Sequence, residues 1–347
     1  MSDITVIGID LAKNVFQVHA EDAKGNKVFN KQFTRKKLIL FMTQLPPCLV
    51  GMEACGSAHY WARKLKSMGH RIKLVNPRKV KAYVDRNKND SKDAEAICEA
   101  TRSNKVPSIA IKSLAQQQMN SLHRARSQVV RHRTRISNHL RSQLAEYGLV
   151  TRQGFAALKK LVLEVLAGEH LNLEASTLFV FQDMYDQWQS LTKRIAQYDA
   201  QVKRVAQSNA ASQTLMALPG IGEISATAIT AKVDDYGQFK KGSTFAAWLG
   251  LTPKEYASAN RRYLGSISKQ GDRYIRWLLI HGARTSIHST LKKNRRDTAY
   301  HRWIHTMVKR VGKNKAAVAL ANKHARMIWA MMKHGRTLDL NHAESFV

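Results

Sequence analysis

The stretch VIGIDLAKN, residues 6–14, decides how the N-terminal part of the chain is interpreted. Its apolar run has the composition of a buried strand and ends at a single carboxylate, Asp10. Two more short segments rich in β-branched or aromatic residues follow at 14–20 and 27–33, and the turn signal DAKGN separates them. This pattern predicts an antiparallel meander of three strands, with Asp10 at the end of the first.

Strand and helix patterns alternate after the meander. Residues 34–44 and 57–68 have helical spacing, whereas CLVGME at 48–53 and HRIKLV at 70–75 have the composition of buried strands. A further helix is expected at 90–102. Strands followed by strand–helix alternation are typical of a mixed α/β layer fold, which is the fold class predicted for the N-terminal part.

The rest of the chain is predicted to be mostly helical. A long polar helix or helix pair is expected over 112–147, and residues 155–207 carry apolar positions at helical spacing, which indicates a helical hairpin or coiled-coil spacer. Beyond residue 210 the sequence changes to short helices punctuated by glycine. Three domains are therefore predicted, comprising residues 1–150, 151–210 and 211–347.

The segment LPGIGEISATAI, residues 218–229, has the glycine hairpin of a helix-hairpin-helix element. Gly220 and Gly222 permit close approach of another backbone, and the amides at the start of the following helix can bind a DNA phosphate without reading its sequence. An ordinary glycine-containing helix turn is the alternative interpretation. The basic character of the chain favours phosphate binding.

The charge balance indicates a polyanionic partner. The chain has 57 Lys and Arg against 25 Asp and Glu, a net charge of +32. Residues 100–145 contain nine Lys or Arg and no acidic residue, and the same holds for residues 298–338. Charge alone does not separate DNA from RNA. The candidate phosphate contacts of the first stretch are Arg124, Arg126, Arg131, Arg133 and Arg135.

Several other classes of protein are disfavoured. The sequence has no apolar run of about eighteen residues and no basic-then-apolar leader, so a soluble, cytoplasmic protein is expected. The three cysteines lack the C-x-x-C spacing of zinc sites and are interpreted as buried thiols. His301 and His305 have the i, i+4 spacing of zinc ligands, but no third ligand is evident and they are interpreted as helix-surface residues.

Two further sets of side chains have both a simple and a functional interpretation. Lys269, Arg273 and Arg276 lie at helical spacing opposite apolar residues, and a nucleic-acid contact or a solvated helix face explains them equally well. Four tryptophans are interpreted as core residues, because the large tryptophan side chain is usually buried. They are Trp248, Trp277, Trp303 and Trp329.

Four carboxylates occupy positions that suit a metal site. Asp10 and Glu53 each end a predicted strand, and neighbouring strands would bring them to one end of the sheet. Asp90 and Asp93 lie three residues apart at a helix start, hence on one helical face. Hard divalent cations prefer such oxygen ligands, and Mg²⁺ is the expected ion. The simpler alternative for each residue alone is a turn or a helix cap.

Several motifs of the sequence together resemble a known family. The order IGIDLAKN, GMEACGSAHYWA and NKNDSKDAEAI is similar to the N-terminal RuvC-like, ribonuclease-H-fold domain of DEDD-type insertion-sequence transposases, relatives of the Piv/MooV DNA invertases. The similarity continues through LPGIGEISA, FAAWLGLTPKEYAS and GSISKQGDRYIRWLL and covers nearly the whole chain.

The resemblance implies a two-part active site. Asp10, Glu53, Asp90 and Asp93 would be the DEDD ligands of Mg²⁺, and a serine after the LTP segment would attack DNA and form a covalent phosphoserine. That serine is Ser258, followed by Ala259 where the family commonly has glycine. From the residues alone, Ser258 is more simply a loop serine. Its local competitors are Ser266 and Ser268, and the cations beside it are Arg261 and Arg262.

The resemblance also implies partners. Members of the family act on donor and target DNA, assemble as homotetramers and are guided by a structured noncoding (bridge) RNA, so a transposase with these partners is the leading hypothesis. Two alternatives stay open. One is a Mg²⁺-dependent junction resolvase or nuclease that uses water, and the other is a non-enzymatic nucleic-acid-binding protein whose carboxylates hold no metal.

Overall fold

The structure, a computed structural model, describes residues 4–84, 89–170, 173–258 and 261–341. The chain forms two compact units, residues 1–113 and 114–347. The sequence places its first boundary near residue 150, whereas the long helix that begins at Leu114 belongs to the second unit.

The first unit contains a five-stranded mixed sheet in the order β3-β2-β1-β4-β5. Strands β1, β2 and β3 are antiparallel, and β4 and β5 continue the sheet in parallel with β1. The predicted meander and the mixed α/β class are confirmed. The elements are β1 (Val6–Asp10), β2 (Val15–Glu21), β3 (Lys27–Thr34), α1 (Arg35–Gln44), β4 (Leu49–Glu53), α2 (Ala58–Lys66), β5 (Arg71–Val75), α3 (Pro77–Val80) and α4 (Asp90–Arg102).

The two faces of this sheet are built differently. One face is apolar and packs against α1 and α2, with Ile7, Ile9 and Trp61 fully buried in its core. The other face carries Gly8 and Gly51 and packs against α4. A Cβ on Gly8 would lie 2.2 Å from the Ala94 carbonyl oxygen. The glycines therefore let α4 lie almost directly on the sheet backbone.

The second unit is mostly helical, as predicted. Its first three helices share one core, and helices α8 to α12 share another. Gly312, at φ +78°, interrupts the helical geometry within α12. The elements are α5 (Leu114–Glu146), α6 (Phe155–Leu166), α7 (Ala175–Ser208), α8 (Ala210–Met216), α9 (Glu223–Thr230), α10 (Gly242–Trp248), β6 (Pro253–Ser258), β7 (Arg261–Ile267), α11 (Arg273–Lys292) and α12 (Ala299–His334).

Helix α5 belongs with the following helices because of its apolar stripe. Leu140 and Leu144 are buried against Leu158 of α6 and Trp188 of α7. A long helix with one apolar stripe must cover that stripe with another element. Helices α6 and α7 supply the cover, which is consistent with a helical hairpin in this part of the chain.

Three interpretations drawn from the sequence are wrong in the second unit. Arg276 is buried and donates to the carbonyl oxygens of Leu249 and Gln270, so it is not part of a solvated face. His301 is buried and contacts the Asp297 carboxylate through Nδ1. Trp248 and Trp277 are 38% and 51% exposed and are not core residues. For Arg276, one of the two carbonyl partners, Leu249, lies 27 residues away in the sequence.

The hairpin β6–β7 has no counterpart in the sequence prediction. Every residue of β6 is exposed, so the strand lacks the alternation of buried and exposed positions that identifies most strands. Its pairing places Tyr256 opposite Tyr263 and Ser258 opposite Arg261.

None of the described helices combines the length and apolar character needed to cross a membrane.

Candidate metal centre and nucleic-acid surfaces

Asp10 is held at the end of the central strand β1. Side chains alternate along a strand, so Asp10 shares a face with Gly8, and this is the face that α4 covers. The parallel partner β4 repeats the arrangement with Gly51 and Glu53. In both strands a glycine precedes the carboxylate by two residues. Because glycine has no side chain, α4 can lie close to the strand at that point.

Helix α4 carries the other two carboxylates in its first turn. Its N-cap is Asn89, whose side chain accepts from the Ser91 amide, so Asp90 is not the cap. Asp90 and Asp93 lie on the stripe that continues through Ala94, which approaches Gly8. Carboxylates at a helix N-terminus are stabilised by the helix dipole.

Asp10, Asp90 and Asp93 converge on one point. One carboxylate oxygen from each lies within 4.8 Å of the others, with Asp10 and Asp93 half-buried and Asp90 exposed. Like charges at this distance repel each other, and a cation placed between them removes the repulsion. The oxygen ligands suit a hard divalent cation. Glu53 ends the adjacent strand but is not a member of this group of three.

A partly buried polar network supports the first turn of α4. The Asn30 amide donates to the Ser91 carbonyl oxygen at 2.9 Å and lies 3.0 Å from His19 Nδ1. His19 Nε2 in turn lies 3.3 Å from a Glu21 oxygen. Arg102, the last residue of α4, donates to the other Glu21 oxygen at 2.8 Å. The sheet therefore holds α4 near both of its ends.

Sequence reasoning missed this network. Its side chains on β2 and β3 alternate with apolar residues and have the pattern of a half-exposed strand, whereas His19 and Glu21 are only 1% and 4% exposed. The available signal was the set of alternating polar residues Gln17, His19 and Glu21, which pair with Asp10, Gly8 and Val6 of β1.

Ser258 is the last residue of β6 and is exposed at the tip of the hairpin. Arg261 pairs with it in the strand register and is also exposed. Arg262 is already engaged, because its guanidinium contacts Glu255 at 2.8 Å. Ala259 lies outside the described residues.

The arginines of α5 fall into two groups. Arg124, Arg131 and Arg135 are exposed, and Arg131 donates to the Ser127 hydroxyl at 3.3 Å. Arg126 pairs with Asp199 of α7, and Arg133 lies over the Phe155 ring at 4.4 Å. Burial lowers the pKa of Arg133. These last two arginines stabilise the packing of the helices and offer less of their charge to solvent.

The glycine hairpin has a packing role in the structure. Gly220 has φ +87°, and a Cβ there would lie 2.2 Å from the Gly282 carbonyl oxygen of α11. Gly222 is exposed and has open space around it, so of the two glycines it is the one whose backbone an external phosphate could approach. Glu223 follows in the first turn of α9 and places a negative charge where a phosphate would bind. Lys269, at φ +55°, and Arg273 are both exposed.

Comparison with known proteins gives the class of this fold and site. Residues 212–301 match the family model described as Transposase IS116/IS110/IS902 family, and residues 7–149 match the model of the DEDD transposase of IS110. The chain is therefore a transposase that acts on DNA.

The relatives cover almost the full length. A probable family 20 transposase of Pseudomonas aeruginosa is 45% identical, covering 95% of this chain and 97% of the relative. The transposases for the insertion sequence elements IS1328 of Yersinia enterocolitica and IS1111A of Coxiella burnetii are each 34% identical, and the alignments cover 96% and 97% of this chain and 98% and 92% of those proteins. This chain belongs to the IS116/IS110/IS902 family of transposases.

Proposed function

We propose that this transposase cleaves and rejoins DNA strands through a covalent phosphoserine at Ser258, with Mg²⁺ held by Asp10, Glu53, Asp90 and Asp93. The observation that carries the proposal is the convergence of three carboxylates, from a strand and a helix, to within 4.8 Å of one another. The order of strands around Asp10 and the placement of α4 support a RuvC-like, ribonuclease-H-type fold for the first unit.

The residues present fit a divalent cation. Mg²⁺ binds oxygen at about 2.0–2.1 Å, so ligand oxygens on opposite sides of the ion lie about 4.2 Å apart. The three oxygens lie within 4.8 Å of one another, so small side-chain adjustments bring them to that spacing. Bound there, the cation supplies positive charge that stabilises both the attacking and the leaving oxygens at a phosphate.

The chain's own groups fix the site in place. Asp10 extends from a strand inside the sheet, and Asp90 and Asp93 are positioned by the contacts of α4 with β1 and Asn30. Asp10 and Asp93 are half-buried. Exposed Asp90 is the carboxylate nearest to solvent, on the side from which a DNA backbone would approach.

The proposed covalent step conserves the phosphodiester. The Ser258 oxygen bonds to phosphorus, the bond to the 3′ oxygen of the DNA breaks, and the serine proton ends on the departing 3′ hydroxyl. Attack by a second 3′ hydroxyl reverses these changes and restores the serine. Because the number of phosphoester bonds is unchanged, no nucleotide cofactor is consumed. Exposed Arg261 beside Ser258 can stabilise the charge on the phosphate.

The partners follow from the same proposal. The proposed partners are donor and target DNA and a structured guide RNA, in a homotetramer where Ser258 of one copy would meet the carboxylates of another. The net charge of +32 and the exposed arginines of α5 support binding of long polyanions.

The experiment uses purified protein, Mg²⁺, the noncoding RNA transcribed beside the gene and donor and target DNA labelled at the 3′ ends. After denaturation, label retained on the protein reports the 5′-phosphoserine. We expect Ser258→Ala and Asp10→Asn to abolish retention and recombinant product, whereas Ser266→Ala retains both.

Cleavage that survives Ser258→Ala without protein-bound label would identify a nuclease that uses water. Binding without any Mg²⁺-dependent cleavage would favour a non-enzymatic nucleic-acid-binding protein.

A further inference from the structure

Helix α11 presents a continuous stripe of basic and aromatic side chains. The members are spaced by three or four residues, so they lie on one face of the helix. All are exposed, and no acidic residue occurs in α11. At 1.5 Å per residue this helix is about 30 Å long. The stripe comprises Arg273, Trp277, His281, Arg284, His288 and Lys292.

Trp277 is the main apolar member of the stripe and is 51% exposed. Tyr274 lies nearly parallel to it, with ring centroids 6.3 Å apart and an interplanar angle of 12°. The His281 ring is tilted against it, with centroids 4.4 Å apart and an interplanar angle of 49°. These contacts hold the indole in one orientation and leave about half of its surface to solvent.

A cleft of about 680 Å³ opens beside Trp277. Helices α5 and α11 form its walls, and the exposed Arg124, Arg131 and Arg273 contribute positive charge. The pKa of His123, which also lines the cleft, is lowered to about 4 by burial and by the neighbouring Arg126 and Lys232, so this group is neutral at pH 7.

A second cleft continues along the same stripe. It measures about 450 Å³ and is lined by Arg284, His288 and Lys292 of α11 together with Lys313 of α12. The stripe therefore joins two concave, basic surfaces within one unit.

Two acidic residues close to the first cleft are paired with cations in the described part of the chain. Asp199 of α7 contacts Arg126, and Asp272 contacts Lys232 at 3.0 Å. The exposed arginines of the cleft are left as a source of positive charge for an external anion. An apolar or basic partner would gain little here, whereas a chain of phosphates complements the surface.

We propose that the α11 stripe binds a single strand of nucleic acid, with one unpaired base stacked on Trp277 and its phosphates held by Arg124, Arg131 and Arg273. An indole offers its ring face to any base, but a base inside a duplex has both faces covered by its neighbours. The surface therefore selects an unpaired nucleotide. This inference rests on the proposed function, because a recombinase that opens strands or uses a guide RNA exposes such nucleotides.

The test compares full-length wild type with Trp277→Ala and Trp277→Phe. Binding is measured by fluorescence anisotropy at fixed salt in EDTA, using 20-nucleotide oligothymidylate, oligouridylate and a 20-base-pair duplex. We expect Trp277→Ala to weaken single-strand binding by about 5- to 150-fold, the range for loss of one stacked base, and duplex binding to change by less than about twofold. Trp277→Phe should retain single-strand affinity within about threefold.

Phe179→Ala is the matched control, because Phe179 is also an exposed aromatic residue of this unit, 73% exposed, and does not line the cleft. Unchanged single-strand affinity of Trp277→Ala, or an equal loss on single strands and duplex, would overturn the proposal. The oligothymidylate and oligouridylate arms show whether DNA or RNA is preferred. Circular dichroism melting confirms that each variant is folded.

Failure of the proposed function is distinguishable from failure of this inference. Asp10→Asn and Ser258→Ala leave the stripe intact and should bind single strands as wild type does. Loss of strand transfer in those variants with normal binding separates the chemistry from the nucleotide site.

Discussion

Asp10 sits where an apolar strand meets a helix that carries two more carboxylates. The strand end and the helix start are each ordinary local features, and only their meeting creates a concentrated negative charge. At the residue scale this charge has two opposite consequences for stability, depending on whether a cation is present.

Asp10→Asn should therefore change the melting temperature in opposite directions without and with divalent cation. Without divalent cation, loss of one charge relieves repulsion and should raise the melting temperature slightly. With Mg²⁺ at about ten times its dissociation constant, wild type gains about 1.4 kcal/mol and the variant gains little. Calorimetric melts with and without Mg²⁺ measure both effects. Glu146→Gln, which removes an exposed carboxylate in α5, is the control and should change neither the melting temperature nor its response to Mg²⁺. A Mg²⁺ response of Asp10→Asn equal to that of wild type would contradict the metal site.

Protonation of His123 should make the free energy of unfolding depend on pH. Burial lowers its pKa to about 4 in the folded state, and its ring contacts Thr227 and Tyr274. The unfolded histidine has a pKa of about 6.5, so the unfolded state takes up the proton first as the pH falls. The stabilising contribution is present above pH 6.5 and is lost between pH 6.5 and 4.

Between pH 7 and 5 this loss amounts to about 2 kcal/mol. Urea unfolding at the two pH values should show a steeper decline for wild type than for His123→Gln, by about that amount. Gln128→Ala, at an exposed and uncharged position of α5, is the control and should keep the wild-type slope. Identical slopes in wild type and His123→Gln would show that this histidine is not protonation-linked.

At the element scale, the contact of α4 with β1 sets the geometry of the candidate metal centre. Helix packing against a sheet normally leaves room for side chains between the two, but Gly8 and Gly51 remove them. A Cβ on Gly51 would lie only 1.7 Å from Thr101 Oγ1. The first turn of α4 reaches Asp10 because this separation is so small.

Gly8→Ala should destabilise the first unit by about 2–3 kcal/mol, since the new methyl group must displace the backbone of α4. The displacement should also weaken Mg²⁺ binding. Gly56→Ala is the matched control, because no atom lies within 4 Å of a Cβ there, and its effect should stay within about 0.5 kcal/mol. Urea unfolding measures both variants. A Gly8→Ala protein as stable as wild type would show that α4 does not approach this closely.

At the scale of the whole molecule, the division into units predicts which fragments fold. Residues 1–113 contain a complete sheet with helices on both faces. A fragment ending at residue 150 would also carry α5 without α6 and α7, which exposes Leu140 and Leu144.

We expect fragment 1–113 to unfold cooperatively in urea and to bind little of a hydrophobic dye. Fragment 1–150 should bind more dye and self-associate, because its apolar α5 stripe is uncovered. Leu140→Ser and Leu144→Ser together should reduce that association. A well-behaved monomeric 1–150 fragment would instead support a boundary at residue 150.

Much of the molecule is predictable from local pattern. The strands of the meander, the start of α4 at Asp90 and the long helices follow from alternation, helical spacing and turn residues. Local pattern does not predict the exposure of Trp277 or the burial of Arg276 and His301. Composition alone does not reveal which neighbours cover a helix face. The hairpin β6–β7 escapes prediction for a related reason, since it has no buried face to impose a pattern.

The amino-acid sequence by itself determined that carboxylates end a strand and begin a helix, that the chain is strongly basic, and that its family is that of insertion-sequence transposases. Those properties are local or compositional. Only the tertiary structure decided that Asp10, Asp90 and Asp93 meet, because their approach depends on α4 lying over Gly8. It also decided that a basic and aromatic stripe on α11 faces solvent, because burial of the opposite face against α9 and α12 leaves only this one exposed.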